Sequence, residues 1–257
     1  MRKKLKYFFV LSLSLACGLQ APLLALTNDY KGTIGTRGIG LTMGINRPTS
    51  LKDKSVCGYY FYNDVMKNSY LEGGQVDDGE FVLYELDAKG SRKSVFTCKY
   101  AKEDPAGHFK GELSDEVIVG VWSRLDGTDR QPLYLAKLGG VGAEGDRRYA
   151  VADVENDSAF EAKVQKWRNA VISGDKKIVV SMISYPIAAR VNGRQKNLKN
   201  ADQLLKNYDG VFTLKYVGAI GNAVPHNMFV NSHGVMLGDT GEVWFDAAGK
   251  IKSLNNY

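Results

Sequence analysis

The stretch Ser158–Ile187 reads SAFEAKVQKWRNAVISGDKKIVVSMISYPI, and it decides the fold of the C-terminal part of the chain. Ser158 and Glu161 have the spacing of a capping box, in which each side chain accepts from the backbone N–H of the other residue. Four apolar residues then recur at helical spacing, with charged residues on the opposite face: Phe160, Val164, Trp167 and Val171. This pattern predicts an amphipathic helix that ends at Gly174, since glycine readily adopts the left-handed conformation of a C-terminal stop.

The residues that follow predict a second helix, a hairpin, a third helix and a sheet. Asp175 can cap a short helix that ends at Tyr185-Pro186, because the residue before a proline is driven out of the α region. Asn192-Gly193 is a strong hairpin signal, and Asn200 can cap the third helix. Three β-like runs separated by glycine-containing turns then predict a meander: Met228–Leu237, Glu242–Asp246 and Lys250–Leu254.

This order of elements resembles the cone-shaped α+β fold of the nuclear transport factor two-like superfamily. The resemblance covers residues 158–257 and is carried by four segments: Ser184-Tyr185-Pro186-Ile187, Leu204–Asp209, Gly234–Gly238 and Val243-Trp244-Phe245. It implies helices packed on a curved antiparallel sheet, with a pocket at the wide end of the cone. Some members of the superfamily use that pocket for acid–base chemistry, whereas others only bind ligands or dimerise through the sheet.

Within such a pocket, His233 is the candidate acid or base, with Asp202, Asp209 or Asp239 as its orienting partner. Four aromatic residues either line the pocket as binding residues or form the core: Tyr185, Tyr208, Trp167 and Trp244. The other two histidines are predicted to be surface residues: His108 and His226.

Residues 26–138 lack helical periodicity and contain eight short β-like runs. The runs are Ile39–Ile45, Cys57–Tyr62, Ser69–Gly73, Phe81–Leu86, Ser94–Lys99, His108–Leu113, Val117–Trp122 and Pro132–Ala136. Their regular spacing, with Asp, Gly and Asn between them, predicts an all-β meander, sandwich or barrel, and eight strands suffice to close a barrel. In the order and spacing of its glycines and aromatic residues, this part of the chain resembles a β-rich domain of uncharacterised periplasmic bacterial proteins.

The aromatic residues of this part of the chain have two interpretations. They either form a binding face, where rigid aromatic side chains lose little conformational entropy on binding, or fill the interior of a small barrel. The residues concerned are Tyr59, Tyr60, Phe61, Tyr62, Tyr70, Tyr84 and Trp122.

Residues 1–25 have a basic start, an apolar run from Tyr7 to Cys17 and no acidic residue, which predicts a secretory signal peptide cleaved after Ala25. We therefore expect the protein to be periplasmic or secreted, and the alternative is a lipoprotein anchored through Cys17. The apolar run is too short to span a bilayer, and no transmembrane segment is predicted in the mature chain. The net charge of the whole chain is 34 − 28 = +6. Four of its basic residues lie in residues 1–25, so the net charge of the mature chain is 30 − 28 = +2. Nucleic-acid binding is not expected at this charge.

The two remaining cysteines, Cys57 and Cys98, form an even pair in an oxidising compartment, which predicts a disulfide. Such a bridge would close a loop of about 40 residues and stabilise the fold by about 2–4 kcal/mol. Two buried free thiols are the alternative. Neither cysteine has a metal-binding neighbourhood, so no metal and no cofactor is predicted.

Together these patterns predict an α+β protein with a β-rich domain at 26–138, a glycine-rich linker at 139–157 and the cone-like domain at 158–257. The motifs of serine hydrolases and zinc peptidases are absent from the sequence. We therefore expect a non-enzymatic exported envelope protein that binds a protein partner or a small apolar ligand, for example as an inhibitor or immunity protein. The alternatives are an enzyme that uses the C-terminal pocket and a structural module that homodimerises through its C-terminal sheet.

Overall fold

The structure is a computed structural model that describes residues 25–48, 55–77, 80–101, 117–143 and 147–257. Apart from Ala25, the predicted signal peptide lies outside the described residues, as do the possible lipid-attachment residue Cys17, His108 and the predicted strand His108–Leu113.

Eight strands occupy the first part of the chain. They are β1 (Ala25–Ile34), β2 (Arg37–Pro48), β3 (Ser55–Tyr62), β4 (Ser69–Asp77), β5 (Glu80–Leu86), β6 (Arg92–Ala101), β7 (Val117–Arg124) and β8 (Gln131–Ala143). The second part begins with a 3-10 turn at Ala150–Ala152. Its helices are α1 (Asp157–Ser173), α2 (Lys176–Ser181), α3 (Ala201–Lys206), α4 (Tyr208–Val211) and α5 (Leu214–Asn222). Its strands are β9 (Ile187–Val191), β10 (Arg194–Leu198), β11 (Phe229–Asn231), β12 (Gly234–Leu237), β13 (Val243–Phe245) and β14 (Ile251–Leu254).

Strands β1 to β8 form a closed antiparallel barrel in which each strand pairs with the next and β1 pairs with β8. Alternate residues point into the lumen, which is filled by a buried cluster that includes Leu41, Leu71, Leu83, Phe96 and Leu135. The all-β architecture expected from the alternating pattern is confirmed, and of the three alternatives, meander, sandwich and barrel, the structure shows the barrel. Strand β1, however, was not among the predicted strands, although it closes the barrel.

The second part of the chain is built around α1 and the four-stranded sheet β11–β14. Trp167 of α1 is fully buried and packs edge-on against Phe245 of β13, at 5.8 Å between ring centroids. The α+β class is therefore confirmed. Among the described residues, no helix is both long enough and apolar enough to cross a membrane.

The ends of the helices test the predicted caps. Asn156, and not Ser158, caps α1, because its side chain accepts from the backbone N–H of Ala159. Gly174 is left-handed as predicted, with φ of 72°, and Asp175 caps α2 by accepting from Ile178. The hairpin at Asn192-Gly193 is also confirmed, since both residues have the positive φ that its tight turn requires.

Three features of the structure differ from the sequence prediction. The run Met228–Leu237 is divided into β11 and β12 by a turn at Ser232-His233. Helix α5 was not predicted. Gly139–Ala143, expected to start a flexible linker, is the second half of β8 and pairs with the first residues of β1.

The predicted Cys57–Cys98 disulfide is wrong, because both cysteines are free. They lie on β3 and β6, which are separated in the barrel by β4 and β5. Neighbouring strands are about 4.8 Å apart, and a disulfide needs Cα atoms within about 7 Å. Burial raises the pKa of the Cys98 thiol to about 12, so it packs as a small apolar side chain.

We expect a reducing agent to leave the midpoint of thermal unfolding of the purified protein unchanged. A bridge that contributes 2–4 kcal/mol would instead make Tm fall on reduction, by about 2–4 °C per kcal/mol at this chain length. Differential scanning calorimetry with and without the reducing agent measures the difference. A Cys57→Ala variant is the control, and a fall of about 5 °C or more in the parent protein alone would contradict the free thiols.

Candidate functional site

One end of the barrel opens into a concave site, which we call the barrel mouth. It lies where the turns 35–36, 63–68, 87–91 and 125–130 join the strands. The cavity has a volume of about 900 Å³. It is lined by strand residues near this end of the barrel and by residues of the turns: Tyr60, Tyr62, Val65, Lys67, Asn68, Ser69, Tyr70, Glu85, Leu86, Asp87, Ala88, Lys93, Ser94, Trp122 and Arg124.

A buried carboxylate lies at the floor of the barrel mouth. Glu85 is only 3% exposed, and its Oε2 accepts a hydrogen bond of 2.6 Å from the Ser94 hydroxyl. The same hydroxyl accepts from the indole N–H of Trp122 at 3.0 Å. The Lys93 ammonium lies 3.1 Å from Glu85 Oε1. A buried acid normally requires such partners, and here they hold the carboxylate in a fixed position.

Aromatic rings form the walls above this carboxylate. Tyr60 packs edge-on against Tyr62 at 5.7 Å and against the core residue Phe96 at 5.1 Å between ring centroids. Burial, followed by the negative charge of Glu85, raises the pKa of the Tyr60 phenol, which therefore keeps its proton at neutral pH. The Arg37 guanidinium lies 3.7 Å from the centroid of the Tyr62 ring.

The turn 63–68 forms one wall of the barrel mouth and is fixed at several points. Asn63 donates its backbone N–H to Gly38, and Asp64 accepts two hydrogen bonds from Arg37. At its far end, the Asn68 side-chain oxygen is 2.9 Å from Nε2 of His226. The C-terminal part of the chain thus holds a wall of a site that is built by the barrel.

A second polar region joins the barrel to the C-terminal part, and we call it the junction. Arg148 is 9% exposed and forms a two-pronged ion pair with Asp29 of β1, with distances of 2.6 and 3.3 Å. Its Nε also donates to the backbone carbonyl of Met228. Asp29 accepts a further hydrogen bond from Thr42. Burial by itself lowers the pKa of Arg148, but the Asp29 carboxylate outweighs it and raises the pKa.

Glu161 of α1 is the centre of the junction. Its Oε2 lies 2.6 Å from His226 Nδ1, and its Oε1 accepts from the Tyr149 hydroxyl at 2.6 Å and from the Asn227 backbone N–H at 3.0 Å. The Tyr149 hydroxyl in turn accepts from the Met228 N–H at 2.9 Å. Burial, then the nearby Glu161, raises the pKa of Tyr149 well above its usual value, so its O–H remains a donor. These bonds fix residues 226–228 against α1.

The same segment is fixed to the barrel. Asn227 donates to Thr42 at 3.0 Å and accepts from the Tyr59 hydroxyl at 2.5 Å, and the Phe61 ring packs edge-on against His226 at 4.5 Å. Phe61 can approach closely because residue 40 is glycine: a Cβ there would lie 2.2 Å from the Phe61 ring. Residues 226–228 are therefore hydrogen-bonded both to the barrel and to the C-terminal part. The junction is thus a structural connection between the two parts of the chain.

A cleft of about 260 Å³ lies beside the junction. Its rim carries the exposed apolar side chains of Leu138 and Phe229 and an ion pair between Lys31 and Asp239. The charged groups on its walls are already paired with one another. The barrel mouth is larger, and its buried acid Glu85 is paired with an exposed lysine, whereas Asp29 in the cleft is paired with the buried Arg148. The barrel mouth is therefore the stronger candidate for a ligand site.

The structure does not assemble the predicted catalytic group. His233 is exposed in the turn between β11 and β12, and its backbone N–H donates to Asn231. Asp209 pairs with Lys176, and Asp239 pairs with Lys31. The third candidate partner is in the first turn of α3: Asp202.

The four aromatic candidates for binding are mostly core residues. Trp167 is fully buried, Tyr208 is 5% exposed, and Tyr185 packs on the core and donates its hydroxyl to Val180. Trp244 is half-buried and packs edge-on against Phe229 at 6.2 Å. None of the four lines the barrel mouth.

Two residues that build these sites were not predicted from the sequence to be site residues: Glu85 and His226. Glu85 follows Phe81 and Leu83 at spacings of two, which places an acid on the inward face of β5. This alternation is a signal in the sequence that could have identified Glu85 as a site residue. His226 was predicted to be a surface residue, and this is wrong, because its side chain is 14% exposed and both ring nitrogens are hydrogen-bonded. Its partners are distant in sequence, so no local pattern indicates them.

Comparison of the chain with protein-family models, with curated proteins and with solved structures finds no match. Among the described residues, no group of three or more His, Cys, Asp or Glu side chains is placed to hold a metal ion. The function therefore has to be inferred from the barrel mouth itself.

Proposed function

We propose that this chain is an exported binding protein that takes a small amphipathic ligand at the barrel mouth. The observation that carries the proposal is a buried carboxylate, Glu85, at the floor of an aromatic-walled cavity of about 900 Å³. Ligand pockets commonly have volumes of about 300–1,000 Å³ and combine apolar walls with few polar groups that orient the ligand. Trp122 and Tyr62 would contact an apolar ring, and Glu85 would accept hydrogen bonds from its polar end.

The rigidity of the walls supports this proposal. Glu85 and Ser94 lie on paired strands, opposite each other in the register of β5 and β6. The turn 63–68 is held by the junction through Asn68. A site that is fixed before the ligand arrives loses less conformational entropy on binding. In this proposal the C-terminal part acts as a support for the barrel mouth.

The cone-like shape and the resemblance to the nuclear transport factor two-like superfamily remain part of this proposal for residues 158–257. A curved sheet around α1 is supported by the parallel bridge between Ile183 and Ile251, which joins the end of α2 to β14. An acid–base enzyme is less well supported, because Trp167 and Phe245 pack together between α1 and the sheet where a pocket would lie. A protein partner, or a second copy on the C-terminal sheet, would leave the buried position of Glu85 unexplained.

The experiment is a titration of the full chain with small aromatic compounds that carry an ammonium, a hydroxyl or a carboxylate group. We expect at least one of these classes to bind, and Trp122→Ala to weaken that binding by about two- to tenfold, since an aromatic contact is worth about 0.5–1.5 kcal/mol beyond its buried area. Isothermal titration calorimetry measures both affinities.

The matched control is Trp244→Ala, which removes the same side chain from the C-terminal sheet and should leave the affinity unchanged. Equal effects of the two tryptophan variants, or no binding of any of the three compound classes, would contradict a ligand site at the barrel mouth.

A further inference from the structure

The contacts of Glu85 indicate which chemical class the barrel mouth accepts, and this inference rests on the function proposed above. The carboxylate is buried, yet the ammonium of Lys93, whose side chain is 64% exposed, reaches its Oε1 at 3.1 Å. The acid is therefore accessible from the solvent side along the path that the lysine side chain follows. A carboxylate offers about four acceptor positions, so it can accept one more hydrogen bond than those from Lys93, Ser94 and the Tyr60 phenol.

Lys93 is attached to the rim and not to the floor. It lies at a bulge in the pairing of β5 with β6, between Ser94, which pairs with Glu85, and Arg92, which pairs with Leu86, and its exposed side chain reaches Glu85 from the edge of the barrel. The Lys93 ammonium is the exposed end of the pair, whereas the Glu85 carboxylate is buried and needs a cationic partner. That ammonium can therefore leave when another cation takes the same position.

The walls suit a cation as well. Aromatic faces attract ammonium and guanidinium groups through the ring quadrupole. The Arg37 guanidinium already lies over Tyr62 at 3.7 Å. The other cations of the rim are exposed, and Arg124 is paired with Asp129, so solvent screens their repulsion of a ligand at the floor.

We propose that the barrel mouth binds a small organic ammonium whose apolar ring contacts Trp122 and Tyr62. The ligand ammonium takes the position of the Lys93 ammonium beside Glu85. Lys93 is thus a built-in competitor that lowers the affinity of the site for cations, and its removal strengthens their binding.

The test uses three probes of nearly equal size and different charge: 2-phenylethylamine, 2-phenylethanol and 3-phenylpropanoate. We expect the amine to bind the parent protein about tenfold more tightly than the alcohol, because a charge-assisted hydrogen bond is about twice as strong as a neutral one. Lys93→Met, which keeps most of the apolar stem, should strengthen amine binding by about three- to tenfold and change alcohol binding by less than about twofold. Glu85→Gln should remove the preference for the amine.

The outcomes separate this inference from the proposed function. Binding of the alcohol that is lost in Trp122→Ala, without any preference for the amine, would uphold the ligand site and overturn the ammonium assignment. Unchanged amine affinity in Lys93→Met would also overturn it; Glu85 keeps its hydrogen bond from Ser94 in this variant, and a thermal unfolding transition like that of the parent shows that it is folded. No binding of all three probes would overturn both proposals.

Discussion

Arg148→Ala is expected to lower the free energy of unfolding by about 3–5 kcal/mol, the cost of removing one partner from a buried ion pair. The Asp29 carboxylate would lose both guanidinium donors while it stays buried, and it would keep the hydrogen bond from Thr42. The backbone carbonyl of Met228 would lose its donor as well. Equilibrium urea unfolding, followed by tryptophan fluorescence, measures the loss.

Two further variants show whether burial is the cause. Lys176→Ala removes an ion pair of similar length, 2.7 Å to Asp209, whose side chains are largely exposed, so it should cost at most about 1 kcal/mol. Asp29→Leu combined with Arg148→Met removes both charges of the buried pair and should recover most of the stability. If Arg148→Ala costs no more than Lys176→Ala, the ion pair does not fasten the barrel to the C-terminal part.

The barrel could be predicted from the sequence wherever its outer face is exposed to water. In β5, Phe81 and Leu83 alternate with less buried residues, and this period of two identifies the strand directly. The same pattern does not identify strand β1, because Thr27 and Asp29 are polar residues that are nevertheless buried. Its outer face is covered by the junction, so polarity there no longer indicates exposure.

The disulfide prediction failed for a different reason. The prediction rested on an even number of cysteines and on the expected oxidising compartment, and neither specifies a distance between two residues. The order of the strands around the barrel decides which residues meet, and it places two strands between Cys57 and Cys98. That order follows from the closure of the barrel and not from the residues near either cysteine.

The candidate site was predictable only in part. The inward position of Glu85 follows from local alternation, whereas the bonds of His226 join residues 65 and 158 positions apart. Each pairing of His226 depends on how the two parts of the chain pack together. The His233 hypothesis arose from the expected pocket of the resembled fold, and the structure places His233 in an exposed turn instead.

The junction and the barrel mouth are connected through a short series of contacts. Glu161 holds His226 through Nδ1, and His226 holds Asn68 through Nε2. Asn68 lines the barrel mouth, so loss of Glu161 would release one wall of that site in addition to lowering stability. This makes Glu161 the residue whose removal affects both regions.

We expect Glu161→Ala to lower the free energy of unfolding by about 2–4 kcal/mol. It leaves the buried Tyr149 hydroxyl and the Asn227 N–H without their acceptor, and each buried unpaired donor costs about 1–3 kcal/mol, with contributions that do not simply add. Glu161→Gln keeps a neutral acceptor for these donors and should cost about half as much. Urea unfolding gives the energies, and hydrogen exchange should show faster exchange at the amides of Asn227 and Met228.

Ser158→Ala is the matched control on the same helix, because the sequence pattern assigns Glu161 to a capping box with Ser158. A shared capping role would give both variants similar losses of about 1 kcal/mol. In the structure Asn156 caps the helix, and the Ser158 hydroxyl donates to Asn156 on the surface, so Ser158→Ala should cost less than about 0.5 kcal/mol. Equal small losses for the two variants, with unchanged exchange at Asn227 and Met228, would show that Glu161 does not fasten residues 226–228.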